Sequence, residues 1–209
     1  MKLTRLTIVP PAGRAPVREA LDRVEELRAL DTLVAPLQRV VRGLPLGGSR
    51  DVLRGTWLGH PLHPALVQLP VGAWASAAVL DLLPGQRRGA AVLIAAGLAG
   101  VPPAALAGWV DWSEQDERQL RVGVVHAAAN VTGAALYAAS LAARLRGHQV
   151  RGKVLGFAGL TVVSAGGVLG GHVAYRQATA VGSAGDGTGP DFETRVVRGP
   201  VTARPPTGA

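Results

Sequence analysis

Residues 59–80 read Gly-His-Pro-Leu-His-Pro-Ala-Leu-Val-Gln-Leu-Pro-Val-Gly-Ala-Trp-Ala-Ser-Ala-Ala-Val-Leu. Two histidines bracketed by prolines, His60 and His63, stand where a polar leader gives way to a stretch without a single Lys, Arg, Asp or Glu. Three more uncharged apolar runs follow, over residues 89–110, 122–143 and 154–175. Each approaches the roughly 20 apolar residues that a membrane-spanning helix needs. The connections at 84–88, 111–121 and 144–153 are short, and short connections make neighbouring helices antiparallel. The fold class read from this pattern is all-α: a polytopic membrane protein with an antiparallel four-helix transmembrane bundle. Its helices are expected at about 64–83, 89–110, 122–143 and 154–175, in a domain spanning 57–177.

Composition agrees. Hydrophobic residues make up 48% and charged ones 17%, with a mean hydropathy of +0.24. That charge content is low for a soluble domain, and the apolar residues are gathered into runs. A net charge of +8 raises nucleic acid as a partner in a soluble protein. Here the basic residues flank the apolar runs, so anionic lipid headgroups are their expected counterpart and no nucleic-acid partner is expected. The absence of cysteine excludes disulfides and thiolate-ligated metal or iron–sulfur centres within the chain.

Outside the runs lie two segments of different character. Residues 1–56 form an amphipathic, interfacial leader: Leu21, Val24, Leu27, Leu30, Val34, Leu37, Val41 and Leu44 recur at steps of three or four. Pro36 should kink or divide that helix. The first eleven residues lack the apolar stretch and cleavage site of a signal peptide, so insertion is expected to rely on the first spanning helix. Residues 178–209, rich in Gly, Thr and Pro, read as a disordered tail.

Laying the helices up and down places the polar residues. On the side of the N-terminus, called side A, lie His60 and His63 before the first helix and Asp111 at the end of the second. His126 near the start of the third helix and His172 near the end of the fourth join them. A rise of 1.5 Å per residue puts His126 and His172 about 5 Å inside the boundary. Trp57, Trp109 and Trp112 fall on the same side, as an interfacial aromatic belt does. Side B holds only His148 among the histidines, and Asp81 there is expected to pair with Arg87 or Arg88. Ionisable and ligating groups are costly inside a bundle and by default suggest function. His63, His126 and His172 are therefore the candidate ligands of a cofactor such as b-type haem. His60, His63, Asp111, His126 and His172 are the candidate set for a transition metal such as Zn, Cu or Fe. The four glycines Gly166, Gly167, Gly170 and Gly171 permit close helix packing, or room for a flat cofactor.

The Gly-His-Pro-Leu-His-Pro signature, the Leu80-Asp81-Leu82-Leu83 end of the first helix, His126, and Gly170-Gly171-His172 with Tyr175 resemble a bacterial four-helix membrane family of unknown function. The resemblance covers about residues 57–177. It implies kinship with cytochrome-b-like membrane bundles, a place in the bacterial inner membrane, and a separate Rieske-type or other redox protein as partner. This chain's tail has no Cys-His cluster motif of its own. The leading functional expectation is a haem- or metal-binding membrane protein in electron transfer. A metal-dependent intramembrane hydrolase and a non-catalytic structural subunit are the alternatives, and no catalytic residue is singled out. A homodimer is compatible with a bundle of this size. Charge counts set no orientation: the side-B loops are the more basic, yet the leader carries about ten Lys and Arg.

Overall fold

The computed structural model describes residues 16–184, with side chains over residues 19–171. Every regular element among the described residues is helical. The leader forms α1 (Pro16–Glu26), α2 (Asp31–Arg42) and α3 (Ser49–Arg54). The bundle follows as α4 (His63–Leu66), α5 (Gln68–Leu82), α6 (Arg87–Trp112), α7 (Glu117–Leu145) and α8 (Gln149–Ala184). Four segments are long and apolar enough to cross a membrane: His63–Leu82, Arg87–Trp112, Glu117–Leu145 and Gln149–Gly171. The protein is an antiparallel four-helix transmembrane bundle preceded by a helical leader. Two compact units are distinguished, Met1–Val173 and Ala174–Ala209. In the second, helix continues to Ala184, past the expected start of the tail at Ala178, and the rest of the tail lies outside the described residues.

Helix ends follow local chemistry. Asp116 caps α7, its carboxylate accepting from the backbone N–H groups of Arg118 and Gln119 at 2.9 and 3.0 Å. At the far end, Gly147 takes a φ of +85°, and the His148 N–H reaches back to the Ala143 carbonyl at 2.9 Å, so the helix terminates in a left-handed cap. Pro102 and Pro103 stay within α6, both on its exposed side. Between the helices the core is small. Trp74 of α5 stacks on Tyr137 of α7, with ring centres 4.1 Å apart and planes at 14°, over Ala77, Ala90, Ile94 and Val163.

The leader packs on the side-A ends of α6 and α7. Val34 and Val41 form a buried cluster with Trp112 and Leu120, while Leu33 and Val40 face outward. Gln38 and Arg42 donate to the Ser113 carbonyl just past the end of α6, at 2.9 Å and at 3.1 and 2.7 Å. Arg121 of α7 grips Asp31 with two bonds, at 2.7 and 2.9 Å, and donates to the Glu25 carbonyl at 2.8 Å. The Arg121 guanidinium beside Asp31 holds that carboxyl below its ordinary value.

Four expectations are corrected. The leader helix breaks at Leu27, whose backbone leaves the helical region, rather than at Pro36; Pro36 is the sixth residue of α2 and stays inside it. Trp112 is no belt residue: it is buried under the leader and donates to the Leu120 carbonyl at 2.9 Å, leaving Trp57 as the exposed tryptophan of the three. Asp81 pairs with Arg144, not with Arg87 or Arg88, through bonds of 2.7 and 2.5 Å. Arg144 thus belongs to the buried end of α7 and not to a basic loop; its side chain is 1% exposed and that of Asp81 4%. Finally, α7 begins at Glu117, so His126 lies nine residues, or about 14 Å, along the helix rather than one turn in.

Candidate functional site

The first spanning segment starts at His63, positioned by the turn before it. Gly55 has a φ of +71°, and a Cβ there would meet the His60 carbonyl oxygen at 2.1 Å, so only glycine lets the chain fold back on itself. That fold delivers His63 against α6. Its Nδ1 donates to the Ala104 carbonyl at 2.8 Å, and the ring edge lies where a side chain on Gly108 would otherwise stand. A Cβ on Gly108 would come within 2.7 Å of that Nδ1.

His126 is held in the same manner between α7 and α8. Its Nδ1 donates to the Gly166 carbonyl at 2.8 Å, and its ring edge rests on Gly170, where a Cβ would lie 2.8 Å from Cε1. In both cases a backbone carbonyl at one position anchors the ring and a glycine four residues later makes room for it. The glycine stretch of α8 is thereby explained in part: Gly170 seats an imidazole, Gly166 packs against Ala129 and Asn130, and Gly167 and Gly171 face open space.

A carbonyl can only accept a hydrogen bond, so each Nδ1 carries a proton, and in the neutral imidazole each Nε2 keeps its lone pair. Asn130 does not use up the lone pair of His126. Its amide nitrogen bonds the His126 backbone carbonyl at 3.0 Å and lies 3.3 and 3.0 Å from the two ring nitrogens. Similar distances to both nitrogens put the amide over the ring face, not in line with either lone pair. The two imidazoles meet edge to face, with ring centres 6.3 Å apart and planes at 86°.

Of the other candidates, His60 and Asp111 are not gathered with them. His60 is exposed, and its Nδ1 lies 3.0 Å from the Pro61 carbonyl. Asp111 is half-buried in the last turn of α6, where its charged neighbour is Arg54 of α3. His172 falls within α8, but its side chain lies outside the described residues. Among the described residues no group of three or more His, Cys, Asp and Glu is arranged to hold a metal ion. The sequence reading missed the partners that orient the pair, because the Ala104 and Gly166 carbonyls carry no side-chain signature. Gly108 and Gly170 are visible in the sequence but not distinguishable there from packing glycines.

The family model for predicted membrane proteins named DUF2231 matches residues 59–183. The chain belongs to this family. The DUF2231 segment begins at the Gly-His-Pro signature and ends one residue before α8 does, so it takes in both histidine seats and leaves the leader outside. No curated protein and no solved structure matches the chain.

Proposed function

We propose that this DUF2231 protein is a haem-binding electron-transfer subunit of the bacterial inner membrane, with His63 and His126 as the imidazoles that hold the iron. The observation that carries the reading is the shared anchoring of the two rings, each through Nδ1 on a backbone carbonyl. Donation of the Nδ1 proton to a backbone carbonyl is the usual support of a metal-ligating histidine, fixing the tautomer and leaving Nε2 as the donor. The two rings stand 6.3 Å apart and edge to face, so one imidazole would turn for both Nε2 atoms to reach a common iron.

Haem is favoured over a bare metal by ligand count. Porphyrin iron needs at most two ligands from the protein, whereas a structural zinc wants four and a catalytic one three. Bound haem supplies a one-electron couple, and what the chain supplies is orientation, a low-dielectric surround and exclusion of water. Side B has one histidine, His148, and so no second pair. Electrons would enter and leave on side A, and the partner is a separate redox protein such as a Rieske-type one.

An ultraviolet–visible spectrum of the detergent-purified full chain, oxidised and then reduced with dithionite, tests this. Sharp reduced bands of a low-spin b-type haem, lost in His63→Ala and in His126→Ala, are expected. A featureless spectrum from cells supplied with ample haem overturns the haem reading. Metal analysis of that colourless protein then decides between another metal and none.

A further inference from the structure

Three contacts in the bundle join residues separated by the same interval. His63 meets His126, Trp74 stacks on Tyr137, and Asp81 pairs with Arg144, each pair 63 residues apart. Within each half the same contacts recur. Trp74 lies against Gly97 as Tyr137 lies against Gly159. His63 donates to Ala104 as His126 donates to Gly166, and the rings rest on Gly108 and Gly170. These second-helix positions are 62 residues apart. The lost residue is in the turn: four residues separate α5 from α6 and three separate α7 from α8, and the turn glycines Gly85 and Gly147 both take positive φ. The sequences agree at the same offset, with Val-Leu-x-x-Ala-Gly-Leu-x-x-Val at 92–101 and again at 154–163.

A residue that touches its own counterpart lies on the axis relating the two halves, as in any isologous contact. Both halves start on side A and run in the same direction, so the axis lies along the membrane normal, the arrangement of parallel repeats. Along it stand three tiers: the imidazole pair, the aromatic stack and the ion pair.

We propose that the membrane domain is one helical hairpin duplicated in tandem, and that its halves build a single site on the axis between them. That site takes one flat metal complex of two-fold or higher symmetry, held by His63 from one half and His126 from the other. The ligand part rests on the haem reading above; the duplication does not. The symmetry also sorts the remaining candidates. His172 corresponds to Val110 and Asp111 to Val173, so neither has a counterpart that could act with it. Asn130 corresponds to Val67 and is an addition to one half.

Haemin titration of the haem-free full chain, with variants, is the experiment. One haem per chain is expected, with affinity reduced about 100-fold or more, and alike, in His63→Ala and His126→Ala, since loss of mere support for a ligand already costs 10–100-fold. His172→Ala should bind as the parent does. Loss of binding in His172→Ala with retention in either of the others overturns the symmetric site while leaving haem binding intact. If the parent binds no haemin, the haem reading fails, and nitrogen-15 spectra of histidine-labelled, ligand-free protein decide the duplication. Beside the exposed His60, whose Nδ1 also faces a carbonyl, two half-buried imidazoles with the proton on Nδ1 are expected, Gly108→Ala disturbing one and Gly170→Ala the other. A disturbance by only one of these changes overturns the equivalence of the halves.

Discussion

Replacing Asp81 by Asn keeps the side chain's shape but leaves the Arg144 guanidinium buried without its counter-charge. The two side chains are 4% and 1% exposed and share two charge-assisted bonds at 2.7 and 2.5 Å. Removing one partner of such a pair costs about 3–5 kcal/mol, because the survivor remains desolvated. Arg144 sits in the last turn of α7, close enough to the membrane boundary for partial relief, and it keeps a bond to Ser140 Oγ at 3.2 Å. We therefore expect a loss at the low end, about 3 kcal/mol. Removing both charges together, as Asp81→Leu with Arg144→Met, should cost under about 1 kcal/mol, since paired apolar replacements are often neutral. The charge swap, Asp81→Arg with Arg144→Asp, should recover only part of the loss. Gly152 and Gly156 leave room for an arginine at 144, where a Cβ on Gly152 would lie 2.5 Å from Arg144 Cγ. Their counterparts under the repeat, Ala90 and Ile94, are buried and carry side chains, so less room is expected beside residue 81. Reversible unfolding in mixed micelles, followed by the fluorescence of Trp74, measures all three. The reasoning is refuted if Asp81→Asn costs less than about 1 kcal/mol or if the double apolar variant is as damaged as the single.

Gly97→Ala places a Cβ 2.3 Å from Trp74 Nε1, and overpacking of this kind should cost about 1–3 kcal/mol, read as a lower midpoint in the same unfolding assay. Gly55→Ala combines a φ of +71° with a clash against the His60 carbonyl; it should open the 55–62 turn to proteolysis and, in haem-loaded protein, broaden the reduced bands. The Asp31–Arg121 clasp has a defined pH dependence. The folded carboxyl lies below its ordinary 3.8, so its contribution is complete above that value and is lost as the pH falls through the lower, folded one. The red shift of Trp112 emission that marks loss of this clasp should appear only below 3.8, and Asp31→Asn should remove that acid transition.

The four spanning helices were legible because the bilayer imposes a length and a composition that soluble folds do not. The runs at 89–110 and 122–143 fall inside α6 and α7, which extend only a few residues farther at each end. What remained hidden was pairing. Asp81 is close in sequence to Arg87 and Arg88 but finds Arg144 across the bundle, since local spacing says nothing about which helices face each other. The break at Leu27 has no Gly or Pro to announce it. Of the candidate site, the two histidines that meet were both in the sequence reading, whereas the carbonyls that orient them were not. The repeat was written in the chain and still easy to pass over. In helices built from Ala, Gly, Leu and Val, short coincidences are common, and the ten-residue match gains weight only once its contacts coincide as well.

The leader's seat is made long after the leader itself. Gln38 and Arg42 wait for the Ser113 carbonyl, 75 and 71 residues downstream, and Asp31 waits for Arg121, 90 residues downstream. At ribosomal speeds of 5–20 residues per second, the wait is roughly 4–18 s. Until Trp112 and Leu120 arrive, Val34 and Val41 have nothing to cover them, although α4, α5 and most of α6 have already emerged. Docking is therefore a late event in the life of the nascent chain: it begins on the end of α6 and is completed only when α7 arrives. A chain arrested before residue 112 would leave α1 and α2 without their seat, open to any factor that surveys unfinished membrane proteins.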